Sequence, residues 1–254
     1  MLREGANELN GEWLIPDKFP SLDLGEIHVW AVSLELATDQ LRTRQQWLAA
    51  DERQRANRFV FDKHRNRFTA GRGQVREILS HYTGVEPGQL EFSYANLGKP
   101  SLKAPPPGME DLTFNFSNSS TLGLLSVARG VELGVDVERL RDVRNLIGLA
   151  ERFFDEAEVG DLKSCGGQLQ QQVFFRCWTC KEAYLKAVGK GLSFPLNKVL
   201  VATNSSQPHY LSIDGDEEES AAWSLTSLRP APGYIGALTC RRLGDQVRTF
   251  RWID

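Results

Sequence analysis

The sequence predicts an α+β protein built as two similar lobes, and two observations predict it. Its 254 residues suffice for two units of about 125 residues each. Each half also reads in the same order: one strand, two helices, then further strands. The boundary falls near Ala128–Gly130, giving lobes over 1–128 and 129–254.

In the first half, residues 1–25 carry Pro16 and Pro20 among scattered charges and read as an irregular lead-in. IHVWAVSL, Ile27–Leu34, predicts a strand with only loose alternation. Thr38-Asp39 offers an N-cap to one helical stretch running through LRTRQQWLAADERQRANRF. A second helix is predicted over Asp62–Tyr82, stopped by Gly84. Two short strands follow in LEFSYANLGKPSL, then the loop KAPPPGMED, then a hairpin of FNFSNSS and LGLLSVARG.

The second half predicts a strand over 131–138, a helix over 143–154 and a long helix over about 170–188. Strands over 198–203, 222–229, 233–240 and 247–253 complete it.

Composition narrows the function. Hydrophobic residues make up 41% and charged residues 25%, as in an ordinary globular protein. A net charge of −3 gives no global basic field for nucleic acid or an anionic membrane. The opening MLREGANELNGEW lacks an apolar segment, so no secretory leader is expected. Four cysteines, at 165, 177, 180 and 240, are too few and too irregular for a disulfide framework. A cytoplasmic protein with reduced thiols is the expectation.

Three stretches could carry chemistry. In VELGVDVERL, Asp136 and Glu138 project from one strand face about 7 Å apart. They read either as the wet acidic side of a half-buried strand or as hard oxygen ligands for magnesium. Gly134 beside them leaves room for a close approach to the backbone. In FFRCWTCKEAYLKAVGKGL, Trp178, Glu182 and Lys186 recur every fourth residue and share one helix face. An exposed Glu-to-Lys pair beside a core tryptophan explains them equally well. Cys177 and Cys180 sit inside that helix with no second CxxC, so they read as packing residues. The arginine-dense segment Asp51–Arg76 is either a solvated face or a site for a polyanionic small molecule, which Lys99 in its Gly-Lys-Pro turn could join. No Walker motif and no GxSxG occurs.

Together, GKP (98–100), FNFSNS (114–119), GVDVE (134–138), RFFDEAE (152–158) and WTCKEAYLKAVGKGL (178–192) resemble the 4'-phosphopantetheinyl transferase family, in its larger, surfactin-synthetase-activating type. The resemblance implies two pseudo-symmetric lobes of antiparallel strands with packed helices, with coenzyme A between them. The first lobe would contact the nucleotide, and the second would hold the metal and the carrier. It implies magnesium-dependent transfer of phosphopantetheine to a serine of an apo acyl, polyketide or peptidyl carrier, releasing 3',5'-ADP. Asp136, Glu138 and Glu182 would hold the magnesium, with Asp136, Glu182 and Lys186 at the reacting centre. Lys186 would lie by the pyrophosphate, and the proton acceptor would be Glu182 or a metal-bound water. Arg53, Arg55 and Lys99, then Arg58 and Arg67, are the nearest equivalents of the family's nucleotide-binding cations.

The family usually has a histidine, contacting the 3'-phosphate, where this chain has Asn118 after Ser117. Asn118 can donate a hydrogen bond but brings no charge. By the same resemblance the carrier would dock near the helix after Asp142 and around Phe153–Phe154, and the protein would be a monomer. Two other readings stay open: a different magnesium-dependent phosphotransferase or nucleotidyltransferase, and a non-catalytic two-lobed module that grips a phosphorylated ligand or an acidic helical protein through the arginine-rich segment.

Overall fold

One strand of the first half explains the layering. β2 (Glu26–Ser33) is buried along its whole length except at Ser33. Ile27, Val29 and Ala31 enter one core, while Trp30 and Val32 enter another. A strand covered on both faces needs no polar side, which is why its alternation is loose in the sequence.

The computed structural model describes residues 8–9, 13–94, 98–191, 194–202, 208–241 and 246–253. It is an α+β fold around two four-stranded sheets. One runs β12 (Gln246–Arg251), β2, β6 (Leu122–Arg129) and β5 (Leu112–Ser119). The other runs β1 (Glu8–Leu9), β10 (Trp223–Leu228), β11 (Tyr234–Arg241) and β7 (Leu133–Arg139). Pairing is antiparallel except for β12 on β2 and β1 on β10. Late β12 completes the sheet of β2, β6 and β5, and early β1 extends the sheet of β7, β11 and β10, so neither sheet is built from one continuous stretch of chain.

Long helices cover the outer faces. α3 (Asp62–Thr83) lies over the first sheet, with Val75, Ile78 and Leu79 against Trp30, Phe114 and Leu125. α6 (Gly167–Val188) lies over the second, with Ala183, Tyr184 and Ala187 in a core shared with Trp223 and Ala237. Between the sheets a third core joins Ile27, Val29 and Leu124 to Leu133, Val135 and Leu238. The order helix, sheet, sheet, helix leaves both sheets covered on both faces. Gly84 (φ 69°) and Gly189 (φ 66°) end the two long helices in the left-handed conformation that only glycine adopts freely.

Several expectations are revised. The single helix expected after Thr38 is two, α1 (Thr38–Trp47) and α2 (Ala50–Asn57), separated by extended Leu48 and Ala49. The break follows from tertiary pairing. Glu52 is drawn inward to Arg72 (2.5 Å) and Arg76 (2.8 Å) and accepts the Ala49 N–H. Helix propensity yields to those ion pairs. Ala37, not Thr38, is the N-cap, and its N–H donates to Gln40. The helix expected over 143–154 is α4 (Leu146–Phe153). The segments expected near 90–102 and 198–203 form ribbons, β3 (Phe92–Tyr94) with β4 (Pro100–Leu102) and β8 (Val199–Val201) with β9 (Tyr210–Ile213). Two helices lie outside the predicted elements, α5 (Glu156–Ser164) and α7 (Glu217–Ala221). Among the described residues no helix is long and apolar enough to cross a membrane.

A buried polar knot fastens β12 to β2. His28 has no exposed surface; its Nδ1 lies 2.7 Å from the Tyr82 hydroxyl, which also accepts from Trp30 Nε1. His28 Nε2 faces Glu26 at 3.1 Å, and Arg248 on β12 reaches the same Glu26 oxygen. Burial holds the His28 imidazole below its ordinary value of 6.5. Glu26 is also held below its usual 4.5: burial opposes this, but the Asp23 N–H, His28 and Arg248 outweigh it.

Both groups bind protons more readily when unfolded, so both withdraw stability on acidification. His28 does so as pH falls below 6.5, and Glu26 below 4.5. Urea unfolding followed by tryptophan fluorescence should show the His28 contribution to stability falling between pH 7.5 and 5.5, against the opposite trend of the raised Asp136 and Glu182. His28→Gln should flatten that slope, and an unchanged slope would place the titrating group elsewhere.

Candidate active site between the two sheets

The site begins with a missing side chain. A Cβ on Gly134 would lie 2.2 Å from the Ala183 carbonyl and 2.4 Å from the Ala187 nitrogen. Only glycine lets α6 lie directly on β7, and that contact brings Glu182 and Lys186 over the strand that carries Asp136 and Glu138. The face bearing Asp136 is therefore not wet: Asp136 is 5% exposed beneath the helix.

Lys186 Nζ meets Asp136 Oδ1 at 2.6 Å and Ser117 Oγ at 2.7 Å, while Ser117 donates to the same Asp136 oxygen at 2.7 Å. The other oxygen, Oδ2, is buried without a hydrogen-bond partner, as is Oε1 of Glu182. Burial raises the Asp136 carboxyl above its usual range, though Lys186 and Ser117 pull it back. Burial also raises Glu182, and the charge of Asp136 adds to it. Glu138 is held differently. Its Oε2 accepts from Ser119 at 2.7 Å and from Arg141 at 2.8 Å.

The magnesium expectation can be tested against these residues. Among the described residues no three acidic, histidine or cysteine side chains close around one point. Lys186 stands at Asp136, and Glu138 is turned to Ser119 and Arg141. The chemistry of the donors nonetheless fits a hard cation: all are carboxylate oxygens, and two are buried and unpartnered.

Two edge strands meet here without a backbone ladder. Alternate side chains of β5 reach across to β7. Thr113 donates to the Val131 carbonyl just before β7, Asn115 accepts the Val135 N–H, and Ser119 accepts the Arg139 N–H. A strand has period two, so the intervening residues, Phe116 and Asn118, point the other way. They line a cavity of about 230 Å³ with Arg55, Arg67, Phe68, Arg72 and Tyr94. Three guanidinium groups among three aromatic rings suit a phosphorylated, ring-bearing ligand. A larger cavity of about 570 Å³ between α2 and β3 takes Arg76 from the arginine-dense segment, paired there with Glu52, but none of the individually named site residues.

The structure thus gathers Asp136, Glu138, Glu182, Lys186 and Ser117 at one place, and Arg55, Arg67 and Asn118 at the cavity beside it. Others lie elsewhere. Arg53 donates to the carbonyl of Leu48 in the extended break just before its own helix, and Arg58 is exposed outside the cavity. Lys99 turns inward to the Leu133 carbonyl (3.1 Å) and the Ala187 carbonyl (2.5 Å), tying β7 to the end of α6. Burial pushes its ammonium below the ordinary value. Phe154 packs on Phe174 and is 5% exposed, so it offers no docking surface.

Arg72 and Tyr94 were not singled out in the sequence. Only the arginine density hinted at the first, since no periodicity tells which guanidinium turns toward β5. The first lysine of the KEAYLK run, Lys181, is fully buried against Glu158 at 2.7 Å, so two acidic and basic motif residues serve the second core.

A family described as the 4'-phosphopantetheinyl transferase superfamily matches residues 132–239. A second, described as the N-terminal part of 4'-phosphopantetheinyl transferase, matches residues 35–128. The chain is 40% identical to the 4'-phosphopantetheinyl transferase HetI of Nostoc sp., covering 96% of this chain and 100% of the relative. It is 27% identical to the 4'-phosphopantetheinyl transferase Sfp of Bacillus subtilis, covering 74% and 80% of the two chains.

Two outcomes follow from the burial pattern. Cys177 and Cys180 lie in the core; burial raises both thiols, Cys180 to about 12, so alkylation by iodoacetamide at pH 8 should leave both unmodified in the folded protein. Glu182 has a raised folded value, so its charge opposes folding at any pH above its ordinary 4.5. Glu182→Gln should accordingly raise the thermal midpoint at pH 7.5 without added divalent ion. A lower midpoint would mean that the carboxylate is compensated.

Proposed function

The chain belongs to the 4'-phosphopantetheinyl transferase superfamily, and from that premise we propose how its residues carry out the reaction. The enzyme moves the 4'-phosphopantetheine group of coenzyme A onto a serine of an apo acyl, polyketide or peptidyl carrier protein, and 3',5'-ADP leaves. One observation carries the reading. β5 presents an arginine-lined cavity on one face and holds Asp136 and Glu138 from the other, with Lys186 reaching both Ser117 and Asp136.

The nucleotide end of coenzyme A occupies the cavity. Phe68, Tyr94 and Phe116 flank its ring, while Arg55, Arg67 and Arg72 take its 3'-phosphate, the role for which Asn118 lacks a charge. Arg67 is already turned by Glu35 at 2.7 Å and Arg72 by Glu52, so these guanidinium groups are held before ligand arrives. The pyrophosphate then crosses the end of β5 toward Lys186. The serine oxygen forms a bond to the phosphorus that carries the pantetheine arm, and the bond from that phosphorus to the bridging oxygen breaks. Charge gathers on the departing phosphate, and Lys186 neutralises it. Glu182 accepts the serine proton, a role supported by its place beside Lys186 and Asp136 and by a carboxylate oxygen that no other group engages. Asp136, Glu182 and Glu138 would hold magnesium, which when bound stabilises negative charge on phosphoryl oxygens.

The lobes are read as pseudo-symmetric. Strand sets β2-β6-β5 and β7-β11-β10 correspond in chain order, and each supports a helix of 22 residues. The added parallel strands break the match, since β12 flanks β2 whereas β1 flanks β10. An enzyme of this construction needs no second subunit for its cleft, so it works as a monomer, in the cytoplasm where its carriers and reduced thiols are found.

Incubation with coenzyme A, magnesium and an apo carrier should add ~340 Da to the carrier by mass spectrometry. Asp136→Ala should reduce that transfer by about 10²-fold or more while leaving the circular dichroism unchanged. Near-normal turnover would remove Asp136 from the site. Arg72→Gln should weaken coenzyme A about tenfold yet barely change binding of dephospho-coenzyme A. Equal losses for both ligands would show that Arg72 does not read the 3'-phosphate.

A further inference from the structure

We propose that Ser119, which belongs to the other lobe, is a positioning residue for Glu138. The inference rests on the magnesium site proposed above.

Ser119 lies on β5 and Glu138 on β7, and the two strands share no backbone ladder. A hydroxyl has a single proton. The Arg139 N–H occupies the Ser119 oxygen as a donor at 3.1 Å, so the hydroxyl proton points to Glu138 Oε2 at 2.7 Å. The arrangement repeats two residues earlier. There Lys186 donates to Ser117, and the Ser117 proton goes to Asp136 Oδ1. In both cases a first-lobe hydroxyl engages one oxygen of a second-lobe carboxylate.

On Asp136 this leaves Oδ2 buried and unpartnered. On Glu138, Ser119 and Arg141 converge on Oε2, which leaves Oε1 for a ligand. Ser119 and Arg141 differ in kind. Arg141 is an exposed ion pair, with 53% of its side chain open to solvent, and exposed pairs hold geometry weakly. The hydroxyl is short, and its direction is fixed by the Arg139 N–H. It therefore determines which Glu138 oxygen faces the cleft. Hydrogen-bond partners of metal-binding carboxylates typically affect metal affinity or activity by 10–100-fold.

The test uses the full-length protein freed of divalent ions, with Ser119→Ala and Ser119→Thr. Manganese chloride is titrated against the thermal midpoint, and kcat and KM for coenzyme A are measured with an apo carrier. Ser119→Ala should raise the half-saturating manganese concentration about tenfold and lower kcat by a similar factor, with KM within about twofold. Ser119→Thr, which keeps the hydroxyl, should recover both to within about threefold. Ser119→Cys keeps the shape and weakens the donor; it should shift manganese affinity in the same direction as alanine, and it serves if the alanine variant does not fold.

A manganese midpoint in Ser119→Ala or Ser119→Cys equal to that of the unaltered protein overturns the role of Ser119 alone. Threonine as impaired as alanine does the same. No manganese-dependent shift in the unaltered protein overturns the metal site and this proposal together.

Discussion

The close seating of α6 on β7 is the constraint on which the rest depends. At Gly134 the helix backbone occupies the space where any other residue would place its first carbon. That contact buries the acidic face of β7, raises the Asp136 and Glu182 carboxyls, and sets an ammonium against one of them. Polar groups placed so deep cost free energy unless they are paired. The fold leaves two of their oxygens unpaired, a cost that a purely structural element would shed. Stability is forgone where the chemistry is proposed to occur.

The second condition is the seam between β5 and β7. Edge strands usually pair through their backbones, and these two instead meet through threonine, asparagine and serine side chains. The substitution opens the gap between the sheets, so both faces of β5 become useful. One face borders the arginine-lined cavity and the other orients carboxylates. Ligand recognition and charge placement therefore share a single strand.

Much of this was legible in the sequence because it follows local periodicity. The long helices and their glycine stops are set within each element, as are the hairpin and the strand carrying Asp136. What escaped notice depends on distant partners. Glu52 splits a helix because Arg72 and Arg76 draw it inward from another one. Lys99 looked free to meet a phosphate, yet it caps carbonyls of β7 and α6. Arg72 was one arginine among many, and only the position of β3 and β5 around it shows which cavity it lines. Lys181 and Lys186 are five positions apart on one helix. Burial sends the first into a core ion pair and the second to Asp136, a difference that no spacing rule contains.

The exchange of terminal strands bears on how the molecule is made. Glu26 and Arg248 stand 222 residues apart in the chain, yet they meet across β2 and β12. The half that leaves the ribosome first thus waits with an open sheet edge until β12 emerges. Until then β2 presents an unsatisfied row of amides and carbonyls, the kind of surface on which nascent chains stick to one another. The first sheet is therefore completed only when distant parts of the chain have met.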